Sequence, residues 1–237
     1  DDGPHPGKTP KVLVLLAKHR MPATLFLVGR AISKKTYPLV QRMVAEGHTL
    51  GSHSYNHDVD MAERTLGERT IEYIRGQHET TQILIELALV AGSPADFVTI
   101  YHRVFGKKSD TYLASGSLRK DWVTWAERHA DLLRERGYAP GERPYPIVLS
   151  RPPGGGPYLS ATPNRPPRPV YDSALERLGF LNVMWHGESG DTNPDKKHDF
   201  GFLTSNLRRF SKKGGVILVH DYIRTDALTA ALGRMAE

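Results

Sequence analysis

Two histidines four positions apart, His53 and His57, are the first residues in this sequence whose type and spacing suggest chemistry. On a helical turn that spacing places both imidazoles on one face, close enough to share a metal ion. A chain with 11 histidines in 237 residues can contain such a pair by chance, so the pair alone is weak evidence. Three other segments supply residue types that a hydrolytic metal site needs: Asp1-Asp2-Gly3-Pro4, Arg151-Pro152-Pro153-Gly154-Gly155 and Leu218-Val219-His220-Asp221.

The Asp1-Asp2 pair can complete a metal site. One carboxylate and two imidazoles make three ligands and leave a position for water, which is the pattern of catalytic rather than structural zinc. The second aspartate would then be available as a general base. In isolation, Asp-Asp-Gly-Pro is more often a plain surface turn.

Three more residues suit such a site. Arg151 could hold a carboxylate by a bidentate contact, although an arginine before a Pro-Pro pair is also a common surface feature. His220 follows an apolar run, so it could be a general acid at a strand end or a packed core histidine. Asp191 could be the acidic partner of His220. The other histidines lack a comparable context and are interpreted as structural or solvated.

The apolar runs and periodicities predict alternating strands and helices, which indicates a parallel sheet with helices outside, most simply a closed or nearly closed barrel. The polar candidates then follow the carboxyl ends of strands, and these ends share one face of a barrel. The predicted strands are about 23–28, 48–51, 147–149, 180–185 and 216–219. The predicted helices are about 12–19, 38–46, 65–89, 117–136, 171–178, 200–210 and 225–235.

The segment from about 92 to 146 fits this alternation less well. We interpret it as an insertion in a single catalytic domain covering residues 1–237. Its one clear element is the amphipathic helix at 117–136, because Gly92-Ser93-Pro94 looks like the end of the preceding helix and the flanks are polar. The proline-rich segment 161–169 is predicted to be an extended surface loop.

Composition excludes several classes of protein. The chain contains no cysteine, so it has neither disulfides nor thiolate zinc sites, and no apolar run is long enough to span a membrane. The net charge is +6 with a pI near 9.5, but the basic residues are scattered, so we expect an anionic cell-wall polymer and no nucleic acid as partner. We expect a monomer in the periplasm or outside the cell, with a natural N-terminus upstream of Asp1.

Five motifs in this order, DDGP, HSYNH, RPPGG, ESGDT and LVHD, resemble those of the polysaccharide deacetylases, the NodB homology domain of carbohydrate esterase family 4. The segments ATLFLVG and EGHTLGSH are also similar to the connecting segments of that family. The resemblance covers most of the chain except the insertion. It implies a deformed (β/α) barrel of about seven strands, whose first strand would precede Asp1 and is missing or truncated here.

The resemblance also implies roles for individual residues. Zinc, or another divalent metal, would bind Asp2, His53 and His57. Asp1 would be the general base, and Arg151 would orient it. The substrate would be an N-acetylated polysaccharide, from which the enzyme hydrolyses acetyl groups.

On the opposite side of the predicted centre, the resemblance makes His220 the general acid and pairs it with Asp191. Leu218 would line the pocket for the acetyl methyl group. The backbone N–H of Gly154 would help to hold the oxyanion that forms on the acetamide oxygen.

Three features depart from the family pattern. Gly154 replaces an aromatic residue, and Thr192 replaces a tryptophan in a motif that begins with Glu188. The 94 positions from His57 to Arg151 form a longer gap than is usual in the family. A groove without these aromatic side chains is expected to be wide, which favours peptidoglycan over chitin or chitooligosaccharides as the substrate.

Two alternatives to this hydrolase remain at the level of sequence. A carbohydrate-binding or scaffold protein of the same fold would be expected to lose a ligand, the base or the acid, and none is lost here. A zinc peptidase would need a glutamate base in an H-E-x-x-H helix, whereas Tyr55 and Asn56 stand between these histidines.

In the insertion, Trp122 and Trp125 could stack on sugar, or they could simply pack the helix onto the barrel.

Overall fold

The computed structural model describes residues 1–61, 68–106, 113, 115–156, 169–212, 214–221 and 226–235. The predicted proline-rich loop lies almost wholly outside these residues. The nine helices of the described chain are α1 (Thr9–Lys18), α2 (Tyr37–Ala45), α3 (Glu68–Val90), α4 (Pro94–Phe105), α5 (Ser115–Lys120), α6 (Trp122–Glu135), α7 (Pro169–Leu178), α8 (Phe200–Ser211) and α9 (Asp226–Met235). Among them, none has the length and apolar character needed to cross a membrane.

The strands form two parallel sheets, which confirms the predicted α/β class. They are β1 (Thr24–Leu27), β2 (Thr49–Ser52), β3 (Leu149–Ser150), β4 (Leu181–Asn182), β5 (Gly187–Glu188) and β6 (Ile217–Leu218). One sheet has the order β1-β2-β3-β4, and the other pairs β5 with β6. The apolar run that predicted the first strand is buried from Leu25 to Val28, as expected for a parallel strand covered on both faces.

The first residues of the chain join the two sheets. On one side, the Asp2 N–H donates to the Phe26 carbonyl oxygen at 3.2 Å. On the other side, the main-chain nitrogen of Asp1 donates to the Val219 carbonyl oxygen at 2.8 Å, and the Asp221 N–H donates to the Asp1 carbonyl oxygen at 3.2 Å. This is the pairing pattern of parallel strands, and it sets Asp1 opposite His220. The segments therefore follow in the order β4-β3-β2-β1, residues 1–3, β6 and β5.

The insertion contains a helix that the sequence analysis did not predict. Gly92-Ser93-Pro94 does end α3, but the same residues also begin α4. The Ser93 side chain accepts a hydrogen bond from the Asp96 N–H at 3.1 Å, and Pro94 occupies the first helical position. Both features are typical of helix starts. The sequence analysis interprets these residues only as the end of α3, although they also form the N-terminal cap of α4.

The long helix α3 is the centre of the larger core. It packs against α2, α7 and the insertion helices α4, α5 and α6. The rings of Tyr37 and Phe97 stack with centroids 5.5 Å apart, so the insertion shares a core with the sheet. Trp122 and Trp125 are buried, with 8% and 3% of their surface exposed. The packing interpretation of these tryptophans is therefore correct, and a sugar-stacking role is wrong.

The half of the molecule around β5 and β6 has a smaller core. Its fully packed apolar residues are Leu203, Leu207, Leu228 and Ala231, from α8 and α9. A cavity of about 570 Å³ lies between this half and β1, and its lining includes Leu25, Ile217 and Leu232. The two halves thus meet across the N-terminal segment and a cavity.

Candidate metal centre and active site

The three predicted metal ligands lie together. The His53 and His57 Nε2 atoms are 3.1 and 3.0 Å from Asp2 Oδ1. The three candidate ligand atoms all lie within 4.8 Å of one another. Ligands of a tetrahedral zinc ion at about 2.0–2.1 Å are separated by roughly 3.3 Å, so the spacing suits one metal ion.

The histidine pair is not on a helical turn, which corrects the geometry assumed from the spacing. His53 follows β2 directly, and the next residues form a loop. Ser54 and His57 have left-handed backbone conformations, with φ of 63° and 58°, which a right-handed helix excludes. The Ser54 Oγ atom accepts a hydrogen bond from the His57 N–H at 3.1 Å and closes the loop. This bend, rather than a helix, brings the two imidazoles together.

The charge state of the site favours a cation between the ligands. His53 Nδ1 lies 2.8 Å from the Arg151 carbonyl oxygen, which can only accept, so Nδ1 carries the proton. Burial lowers the pKa of His53 to about 4, so its ring is neutral at pH 7 and Nε2 presents a lone pair. That lone pair faces the Asp2 carboxylate, whose Oδ1 atom lies 3.1 Å away. Two electron-rich atoms in contact need a cation, and a divalent metal fits.

Asp1 and Arg151 form a buried ion pair. Arg151 Nη1 donates to Asp1 Oδ1 at 2.9 Å, and both side chains are less than 5% exposed. The Arg151 Nε–H donates to the Val183 carbonyl oxygen at 2.8 Å, which fixes the guanidinium. Burial lowers the pKa of Arg151 to about 10, so it stays charged at neutral pH. The other carboxylate oxygen of Asp1 lies 3.9 Å from His53 Nε2, so Asp1 borders the metal site without being its closest ligand.

Asp191 and His220 form a second pair, held at two points. The Asp191 carboxylate accepts from the His220 backbone N–H at 2.7 Å and contacts its Nδ1 at 3.0 Å. Asp191 is buried, with 2% of its surface exposed. A carboxylate accepts hydrogen bonds, so Nδ1 carries a proton and Nε2 is the nitrogen available for proton transfer.

The two pairs face the same space. Asp1 is set opposite His220 by the parallel pairing of the N-terminal segment with residues 219–221. Asp1, Arg151 and His220 also line one cavity. The structure therefore brings the groups from residues 1–2, 53–57, 151, 191 and 220 to one place, as the barrel argument predicted for residues that follow strand ends.

The two predicted substrate-binding residues differ in exposure. Gly154 is exposed at the rim, with a left-handed φ of 64°. A β-carbon there would lie 3.4 Å from Val59 Cγ1, so there is room for a side chain but strain in the backbone. Leu218 is buried in β6 with 6% of its surface exposed.

The sequence analysis missed the support for the ligand loop. Gln77 and His78, both completely buried on α3, bond to the segment that carries the histidines. His78 Nδ1 lies 2.8 Å from Ser52 Oγ, and its Nε2 lies 3.2 Å from the Tyr171 hydroxyl. His78 was interpreted as structural or solvated, and it is structural. The only indication in the sequence was that Gln77 and His78 are adjacent polar residues in an amphipathic helix. Nothing in the sequence shows what they contact.

Comparison with known proteins agrees with this geometry. Residues 1–96 match the family model described as polysaccharide deacetylase. This segment is similar to the polysaccharide deacetylase family. It contains all three candidate metal ligands, Asp2, His53 and His57, and the candidate base, Asp1. The resemblance drawn from the five motifs is thereby confirmed.

Two relatives that match part of this chain are named for different substrates. A chitooligosaccharide deacetylase of Sinorhizobium fredii is 46% identical over 72 residues, which are 30% of this chain and 33% of the relative. A peptidoglycan-N-acetylglucosamine deacetylase of Bacillus cereus is 44% identical over 57 residues, or 24% of this chain and 26% of the relative. The matches therefore span a third or less of these proteins.

The fold likeness extends over the whole chain. A family 4 carbohydrate esterase from Streptomyces lividans, solved in complex with acetate, aligns with all of this chain and 82% of its own, with a TM-score of 0.60. At 22% sequence identity, the comparison establishes a shared fold and nothing more. The individual residues carry the argument about chemistry.

Proposed function

We propose that this protein is a zinc-dependent N-deacetylase that removes acetyl groups from N-acetylglucosamine units of peptidoglycan. The observation that carries the proposal is the convergence of the Asp2-His53-His57 cluster with the buried Asp1–Arg151 ion pair and the hydrogen-bonded Asp191–His220 pair. A metal cluster alone would also suit a structural site. A base and an acid on either side of it are what amide hydrolysis requires.

Asp2, His53 and His57 would hold the zinc ion. When bound, zinc would lower the pKa of water and polarise the acetamide carbonyl. The Arg151 carbonyl oxygen fixes the tautomer of His53 and so keeps Nε2 directed at the metal position. No cysteine competes for the ion, because the sequence contains none.

Asp1 is assigned as the general base. Its carboxylate lies beside the ligand cluster, where it can take a proton from the attacking water. The ion pair with Arg151 keeps the carboxylate ionised and fixes its orientation. The Gly154 N–H is assigned to the oxyanion, since Gly154 lies exposed at the rim three residues after Arg151.

His220 is assigned as the general acid. It protonates the departing amine nitrogen through Nε2, while Asp191 holds Nδ1 and stabilises the imidazolium. The products are acetate and a glucosamine unit. Leu218 is buried on β6, two residues before His220. It is assigned to the pocket for the acetyl methyl group.

The preference for peptidoglycan rests on the shape and charge of the surface. Gly154 leaves the rim without the aromatic side chain of the family pattern, and the adjacent Val59 is half exposed. A wide groove in a protein of net charge +6 suits an anionic polymer with peptide branches. We also propose a periplasmic or extracellular location, where peptidoglycan is found, and a monomeric protein.

Chitooligosaccharides are the second candidate substrate, because the Sinorhizobium fredii relative is named for them. Acetate release from peptidoglycan fragments, chitooligosaccharides of equal sugar length and acetylated xylan would decide between them. We expect the highest kcat/KM on the peptidoglycan fragments. A clear preference for chitooligosaccharides would overturn the choice of polymer, and acetate release from xylan alone would overturn N-deacetylation.

A further inference from the structure

The loop between the two histidine ligands depends on a helix far from it in sequence. The Gln77 side chain, buried on α3, points its Oε1 atom at the loop and accepts hydrogen bonds from the backbone N–H groups of Tyr55 and Asn56 at 2.8 and 3.1 Å. Its Nε2 atom donates to the Asn56 side-chain oxygen at 2.8 Å. One carboxamide thus makes three hydrogen bonds to Tyr55 and Asn56, the two residues that directly precede His57.

The same loop stores conformational strain. Ser54 and His57 are both left-handed, at φ of 63° and 58°, a backbone conformation that is unfavourable for residues other than glycine. Such a backbone persists only where its surroundings over-determine it. On one side, the Ser54 and Tyr55 carbonyl oxygens accept from the Gly29 and Arg30 N–H groups at 3.0 and 2.8 Å. On the other side, Gln77 supplies the restraint.

The two histidines are not equally secured. His53 follows β2, its side chain is 3% exposed, and its Nδ1 contacts the Arg151 carbonyl oxygen. The His57 side chain is 31% exposed, and its backbone depends on the loop. Loosening the loop should therefore displace His57 first.

We propose that Gln77 is a positioning residue for the metal centre, holding the 54–57 loop in the strained conformation that directs His57 Nε2 at Asp2. The proposal rests on the proposed metal site and extends it to a residue outside the deacetylase motifs. Without the Gln77 oxygen, the backbone N–H groups of Tyr55 and Asn56 lose their acceptor, and the loop can relax towards a conformation in which His57 no longer reaches the ion.

The test compares two identical changes on one helix. Gln77→Leu removes all three hydrogen bonds at similar volume. Gln82→Leu makes the same change five residues further along α3, where Gln82 is also buried but contacts Glu86, at 3.2 Å. Zinc affinity, measured by competition with a chromophoric chelator, should fall about 10–100-fold in Gln77→Leu, the usual effect of losing a residue that orients a ligand. In Gln82→Leu it should stay within about twofold.

The absorption spectrum of the cobalt-substituted protein gives a readout that stability does not affect. It should change in Gln77→Leu and match the wild type in Gln82→Leu. Gln77→Glu, which keeps an acceptor for the two N–H groups, should recover most of the affinity. If Gln77→Leu does not fold, Gln77→Asn, with its amide one methylene further back, carries the same expectation.

The outcomes separate the two proposals. Wild-type protein that binds no zinc would contradict the metal site itself. Wild-type affinity in folded Gln77→Leu or Gln77→Asn would overturn the role of Gln77 alone. An equal loss of affinity in Gln82→Leu would do so as well, because it would mean that any damage to α3 weakens the site.

Discussion

The two halves of the site are held in different ways. On the metal side, buried side chains of α3, 20 or more residues away in sequence, secure the end of β2 and the strained loop that carries His57. On the acid side, His220 is held by the Asp191 carboxylate, which also accepts a hydrogen bond from the His220 backbone N–H. This pair lies next to a small core and a cavity of about 570 Å³. Asp1 joins the two halves. Changes on the metal side should therefore alter metal binding, whereas changes on the acid side should alter turnover alone.

The largest effect is expected from the metal ligands. His53→Ala and His57→Ala should each lose stoichiometric zinc and turnover together, because each removes one of three protein ligands. Elemental analysis after mild purification would measure the metal. Full zinc occupancy in both variants would refute the assignment of His53 and His57 as ligands and would mean that zinc binds elsewhere.

Next in size is the loss of the base. Asp1→Asn should lower kcat by about a hundredfold or more, the usual scale for a general base, while zinc content stays at the wild-type level. The variant keeps the shape of the side chain and can still accept from Arg151. A kcat near that of the wild type would show that Asp1 is not the base.

A smaller effect is expected on the acid side. Asp191→Asn should lower kcat by roughly tenfold to a hundredfold, since His220 remains but loses the anion that stabilises its charged form. Zinc affinity should not change, and His220→Ala should be more severe. If Asp191→Asn instead weakened zinc binding, the two halves would not be independent.

The smallest effect concerns stability in acid. Burial lowers the pKa of His78 to about 3, whereas the unfolded chain keeps a value near 6.5. Between these values the unfolded state binds the extra proton, so the stability due to neutral His78 is present above pH 6.5 and is lost as pH falls towards 3. Between pH 7 and pH 5 this costs the wild type about 2 kcal/mol.

His78→Gln should remove that dependence. Guanidinium unfolding of the metal-free proteins at pH 7 and pH 5 should show a smaller loss of stability in the variant. The other buried titratable groups, such as Glu86 and His129, are common to both proteins and cancel in the difference. Equal losses would mean that His78 is accessible to protons in the folded protein.

The sequence predicted what depends on local pattern. The apolar run before Gly29 gave β1, and the position of His53 and His220 after strand ends gave the convergence of the site. The prediction from sequence failed where the same residues are compatible with two different local structures. Ser93 and Pro94 were interpreted as a stop, yet Ser93 caps α4. The loop at His53 and His57 was given a helical geometry, because spacing alone does not reveal left-handed residues.

Long-range polar contacts were beyond prediction. Gln77 and His78 look like ordinary polar residues of α3, and their function appears only once Tyr55 and Ser52 are known to lie beside them. The pairing of Asp1 with residues on either side of His220 likewise depends on backbone hydrogen bonds across 218 positions of sequence. Neither contact has a local signature.

The most direct measurement follows acetate and free amine together as the metal is removed and restored. Wild-type protein should release both in equal amounts from N-acetylglucosamine-containing peptidoglycan fragments. It should lose this activity after treatment with a chelator and regain it on addition of about one equivalent of zinc per chain. Zinc-loaded, folded protein that releases no acetate from peptidoglycan, chitooligosaccharides or any other N-acetylated polymer would contradict the assignment as a deacetylase.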